Sequence, residues 1–181
     1  MGSLRSLRSR EQAEPVSAPI PTDDELIDAV LRQTGNVVQN LLKQGANPNA
    51  ACTVRNALSY AVMHGKLDIA KRLLDFGADV NQRNNDGSTP LMWADFPKGN
   101  PRQISEFLLN RGADIDAVNR DGCTALMIAL HYYHFPKAEL LVERGADIRI
   151  RNRLGKTAYD LIKHVKLPET LILIQLLEVT D

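Results

Sequence analysis

One nine-residue phrase is written four times along this chain, and that repetition constrains the fold more than any other feature. It reads Leu41-Leu42-Lys-Gln-Gly-Ala-Asn-Pro-Asn49, Leu73-Leu74-Asp-Phe-Gly-Ala-Asp-Val-Asn81, Leu108-Leu109-Asn-Arg-Gly-Ala-Asp-Ile-Asp116 and Leu141-Val142-Glu-Arg-Gly-Ala-Asp-Ile-Arg149. The glycines Gly45, Gly77, Gly112 and Gly145 stand 32, 35 and 33 residues apart. A unit of that length cannot bury its own apolar face, so neighbouring units must stack. A second echo precedes the leucine pairs: Thr89-Pro-Leu-Met-Trp-Ala94, Thr124-Ala-Leu-Met-Ile-Ala129 and a weaker Asn56-Ala-Leu-Ser-Tyr-Ala61, with a partial last copy at Gly155-Lys-Thr-Ala-Tyr159.

Each unit predicts two short helices. The threonine caps the first, Pro90 suits a first helical turn, and Leu91 and Ala94 share a face at i, i+3. In the second, Ile69, Leu73 and Leu74 form an apolar stripe, and Gly77 stands where a helix ends in a left-handed residue. The stretch Asn81-Gln-Arg-Asn-Asn-Asp-Gly87 is rich in turn formers and predicts a reversing, hairpin-like loop.

These residues resemble ankyrin repeats. Asn84-Asn-Asp-Gly87-Ser-Thr89-Pro90-Leu91 and Gly77-Ala-Asp-Val-Asn81 follow the family pattern nearly residue for residue, and the likeness extends over residues 23–181. The resemblance implies an all-α solenoid of about five stacked helix-turn-helix units joined by hairpin loops. Residues 23–49 lack the leading Thr-Pro but place Leu26, Ala29, Val37, Leu41 and Leu42 at core positions, as an N-terminal capping unit would. The third unit carries two extra residues within Asp95-Phe-Pro-Lys-Gly-Asn-Pro101. The last unit, after Gly155, ends in Leu171-Ile-Leu-Ile-Gln-Leu-Leu177 and is expected to close the stack.

Composition narrows the function classes. With 22 basic and 22 acidic residues the formal charge is zero, which argues against a dedicated nucleic-acid binder. Two separated cysteines, Cys52 and Cys123, make no disulfide framework, and no glycosylation sequon occurs, so a reducing, cytoplasmic setting is expected. The longest apolar run, Ala125 to Leu130, is far below the ~20 residues that span a bilayer. Residues 1–22, with Pro15, Pro19 and Pro21, read as a flexible arm. Its opening, Met1-Gly2-Ser-Leu-Arg-Ser6 with Arg5, Arg8 and Arg10, matches a permissive myristoylation pattern, so a membrane-tethered adaptor is the alternative reading. The same opening is common in expression-tag remnants.

Motifs that suggest chemistry are better explained by the repeat. Leu154-Gly155-Lys156-Thr157 ends like a phosphate-binding loop, but Ile150 stands where that loop needs glycine. His131 and His134, at i, i+3 if both were helical, would give zinc only two ligands where three or four are needed. Trp93 reads as core or semi-buried, and Asp23-Asp24 as first-turn residues favoured by the helix dipole. No catalytic or cofactor residues are expected.

The resemblance implies a non-enzymatic adaptor, scaffold or inhibitor that binds a partner protein on its concave face. A free-standing inhibitor of a toxin or signalling enzyme belongs to the same reading. Carried onto this sequence, the family's variable contact positions are Met63, His64, Asn85, Asp86, Ser88, Phe96, Arg120, Asp121, His131, Tyr132, Arg153 and Lys156. Phe96 and Tyr132 are the expected anchors. Arg120, Arg149, Arg151, Arg153 and Lys156 make the later tips basic, which predicts an acidic segment in the partner. The chain alone is expected to be monomeric.

Overall fold

The computed structural model describes residues 19–94 and 100–165. Phe96, the two extra residues of the third unit, most of the proposed arm and the closing Leu171–Leu177 run lie outside the described residues. Among those described, the helices in chain order are α1 (Asp23–Leu31), α2 (Gly35–Lys43), α3 (Ala57–Met63), α4 (Leu67–Asp75), α5 (Pro90–Trp93), α6 (Pro101–Asn110), α7 (Ala125–His131), α8 (Phe135–Glu143) and α9 (Ala158–Ile162). The architecture is the expected all-α repeat solenoid. Helices pair within a unit (α1 with α2, α3 with α4, α5 with α6, α7 with α8), and the first helices then stack as an inner row of α1, α3, α5, α7 and α9.

Local signals start and stop these helices. Thr22 caps α1 through a capping box with Glu25. Asn56, Thr124 and Thr157 cap α3, α7 and α9 by accepting from the amides of Ser59, Met127 and Asp160. Thr89 departs from the expectation: its side chain makes no capping bond. The amide of Met92 that it would engage already bonds the Thr89 carbonyl at 3.1 Å, because α5 is a single tight turn. Gly77, Gly112 and Gly145 end their helices at φ of 92°, 86° and 84°, as the repeat register requires.

The core is aliphatic and continuous. Leu26, Leu58, Leu91 and Leu126 are buried in the inner row, and Ile69, Leu73, Leu108 and Leu141 in the outer one. In α2 the buried valine is Val38, while Val37 is exposed, which corrects the sequence reading. Val38 and Leu42 lie four apart on the face toward α1, and Val37 is turned about 100° from Val38 and about 140° from Leu42.

Two ladders hold the units in register outside the core. After each second helix, the amides of Asp79, Asp114 and Asp147 donate to Asn49, Asn81 and Asp116 of the preceding unit at 2.7, 2.8 and 2.8 Å. Between outer helices, Arg111 pairs with Asp75 and Arg144 with Glu106, at 2.9 and 2.8 Å. Such exposed ion pairs contribute little individually, so the apolar interfaces dominate.

Candidate functional site

The hairpin loops are built from one repeated element. Asn84, Asn119 and Asn152 each donate their amide to the carbonyl four residues on (Ser88, Cys123 and Lys156), closing the turn. The side-chain oxygens of Asn119 and Asn152 also accept from two amides of their own loop. Successive tips then touch: the Arg120 amide donates to the Asp86 carbonyl at 3.0 Å, and the Arg153 amide to the Asp121 carbonyl at 2.9 Å. This close approach explains Gly122, where an added Cβ would lie 3.0 Å from the Arg153 nitrogen.

The tips and the inner helices enclose an open groove of about 600 Å³. Met92 and Trp93 of α5, Met127, Ile128 and His131 of α7, Tyr132 just after it, and Leu161 of α9 form one wall. Asp86, Ser88, Asn119, Asp121, Cys123 and residues 152–154 and 156 form the other. Trp93, semi-buried as expected, lies under the Arg55 guanidinium, whose central carbon is 3.8 Å from the ring centroid. Tyr132 is about half exposed and meets His131 edge to face at 4.9 Å.

The structure brings together seven of the expected contact residues: Asp86, Ser88, Asp121, His131, Tyr132, Arg153 and Lys156 all line the groove. Met63, His64, Asn85 and Arg120 do not. Met63 and His64 are half-buried at the end of α3, and the Asn85 side chain donates to the Thr53 carbonyl of the preceding loop. Ser88 lines the groove but is buried, its hydroxyl donating to the Asp86 carboxylate at 2.8 Å, so it positions Asp86 rather than offering contact surface. The sequence reading missed Leu154, Met127, Ile128 and Leu161, although register alone aligns Leu154 with Asp86 and Asp121.

Electrostatics also correct the sequence reading. Of the five basic residues assigned to the later tips, Arg149 pairs with Asp147 at 3.1 Å, and Arg151 donates to the Gly155 carbonyl at 2.8 Å, beside Asp160. Arg120, Arg153 and Lys156 have no ion-pair partner among the described residues. In the groove wall, burial pushes the Cys123 thiol up. Outside it, backbone hydrogen bonding from Arg55, then the Tyr60 hydroxyl, holds the Cys52 thiol down. His131 and His134 do not share a helix, because α7 ends at His131 and His134 caps α8. Among the described residues no three His, Cys, Asp or Glu side chains group as metal ligands, and no helix is long and apolar enough to cross a membrane.

Comparison with known families agrees with this architecture. Residues 26–119 match a model of ankyrin repeats in three copies, and residues 108–162 a second model of ankyrin repeats in many copies. The chain belongs to the ankyrin-repeat family. Ankyrin repeats are generally protein–protein interaction modules and typically non-enzymatic. Over 60 residues the chain is 47% identical to the Neurogenic locus Notch protein of Drosophila melanogaster, a match covering 32% of this chain and 2% of that protein. It is 62% identical over 34 residues to the mouse Ankyrin repeat and MYND domain-containing protein 1, covering 19% of this chain and 4% of that one. A third ankyrin relative, the mouse 2-5A-dependent ribonuclease, is 40% identical over 79 residues, 41% of this chain and 10% of the enzyme. The chain thus spans a tenth or less of the length of these relatives.

Proposed function

We propose that this chain is a non-enzymatic binding module whose concave groove holds a segment of a partner protein, as an adaptor, scaffold or inhibitor. The observation that carries the reading is the groove itself. It is open along its length, walled by apolar helix faces, and rimmed by hairpin tips whose backbone is fixed by tip-to-tip hydrogen bonds. A rigid surface with exposed aromatic and charged groups suits recognition, because little ordering entropy is lost on binding. Arg153 and Lys156, without an ion-pair partner among the described residues, favour an acidic stretch in that partner. Both cysteines are free thiols, which suits a reducing, cytoplasmic setting and a chain that is monomeric until it meets its partner.

The test is affinity capture from native lysate followed by cross-linking and mass spectrometry. Cross-links from the partner should concentrate on Asp121, Lys156 and their neighbours in the groove. Cross-links confined to the outer helices α4, α6 and α8 would overturn the reading.

A further inference from the structure

We propose that the C-terminal end of the groove selects an acidic segment bearing a large apolar side chain, anchored on Leu154 between Arg153 and Lys156. This rests on the reading of the groove as a protein-binding surface and specifies the chemistry it takes.

The argument starts from register. The residue before the hairpin glycine is Asp86, then Asp121, then Leu154. The fold does not require leucine there: the Leu154 amide is held by the Asn152 side chain at 3.0 Å, as the Asp121 amide is held by Asn119 at 3.0 Å. Its side chain is free of that work and 79% exposed. A lone exposed leucine is ordinary, but this one lines the groove along with Leu161, Ile128 and Tyr132.

Charge supplies the second half. Arg153 flanks Leu154 directly and Lys156 follows Gly155, and neither has an ion-pair partner among the described residues. The two tips before it carry Asp86 and Asp121 on the same rim, Asp121 on the adjacent tip, where its carbonyl accepts from the Arg153 amide at 2.9 Å. The field therefore changes sign along one groove. An acidic-apolar segment is drawn to the 153–156 tip, and the carboxylates disfavour its lying further along. The same carboxylates disfavour a phosphate backbone, which would need cations along its whole length.

Trp93 is the chain's single tryptophan and lines the groove, so its fluorescence reports occupancy. The probes are synthetic peptides of about twelve residues. One carries a Leu-Phe pair among Asp and Glu, the second has Lys in place of the acids, the third keeps the acids but replaces Leu-Phe with Gly-Ser, and a fourth probe is oligothymidine. The first should shift Trp93 emission saturably and slow alkylation of Cys123, with the other three at least about tenfold weaker. Leu154→Asp, which gives the last tip the residue of the two before it, should weaken the first peptide at least about tenfold while circular dichroism stays unchanged. Equal binding of the lysine peptide or of oligothymidine, or no effect of Leu154→Asp, overturns the proposal. So does the absence of titration by any probe. A groove that prefers another peptide, or whose cross-links to a captured partner stay in place, keeps the protein-binding reading while this chemistry fails.

Discussion

The ammonium of Lys137 in α8 donates to the carbonyl of Leu91 in α5 at 2.7 Å, with the whole lysine buried. The bond crosses from one repeat to the next and engages α5, the four-residue helix that presents Trp93 to the groove. A buried ammonium is unfavourable unless hydrogen-bonded, and its bond adds to the 3.4 Å one that the Leu91 carbonyl accepts from the Ala94 amide.

Lys137→Met keeps the length of the side chain and removes the donor. It should destabilise the protein by about 1–2 kcal/mol and alter Trp93 emission in the native state. Urea unfolding followed by circular dichroism, with fluorescence of the folded protein, checks both. Unchanged stability and emission would mean that this bond does not hold α5 in place.

Two glycines with the same sign of φ should respond differently to the same change. Gly112 has φ +86° with nothing within 4 Å of an added Cβ, so Gly112→Ala meets only backbone strain, about 1 kcal/mol. At Gly122, with φ +75°, the Cβ would also sit 3.0 Å from the Arg153 nitrogen and 3.1 Å from the Asn152 Cα. Those are backbone atoms of the next tip, so relief requires pulling the hairpins apart. Gly122→Ala should cost about 2–3 kcal/mol in thermal unfolding, and equal losses at both sites would refute the close-approach argument.

Acid should loosen the last unit first. The Asp160 carboxylate accepts from the Lys163 ammonium at 2.8 Å and from the Thr157 amide and hydroxyl at 3.0 and 3.1 Å. The Lys163 bond, then those from Thr157, hold its pKa well below the ordinary 3.8. A depressed carboxylate pKa stabilises the fold above the unfolded value. That contribution is lost as pH falls below 3.8 toward the folded-state value. Asp160→Asn should therefore melt below the parent at about pH 6, and the gap should narrow steadily as pH falls from about 4 toward 2. A constant gap between them would show that the cap is not governed by this charge.

Much of the fold was legible because the repeat states its constraints several times. Leu-Leu-x-x-Gly-Ala-Asp marks the end of each second helix, and Gly77, Gly112 and Gly145 take up the left-handed turns that spacing demands. What escaped depends on rotation and on neighbours. Val37 and Val38 are chemically identical, so only the phase of α2 against α1 decides which is buried. Lys137 reads as a surface residue until α8 is stacked on the unit that contains Leu91. The groove was legible by position at seven residues, but its apolar anchors were not. Leu154 is apolar yet exposed and Ser88 polar yet buried, the reverse of what residue type alone suggests.

Charge and apolar surface should act on different steps of binding. Arg153 and Lys156 lie on the solvated rim, where ion pairs gain little equilibrium energy but steer the encounter. Arg153→Glu with Lys156→Glu should slow association by about tenfold at low salt and weaken its salt dependence. Tyr132 sits within the groove wall, where a partner's side chain would strip water from its ring. Tyr132→Ala should leave association nearly unchanged and raise the dissociation rate, at about 2 kcal/mol if the ring is a hot spot. Lys71→Glu on α4 and Glu106→Lys on α6, in the outer row, serve as controls and should leave both rates as in the parent. Surface plasmon resonance with the captured partner, at low and physiological salt, separates the steps. Loss of binding in the outer-row variants with retention in the groove variants would move the interface to the convex side.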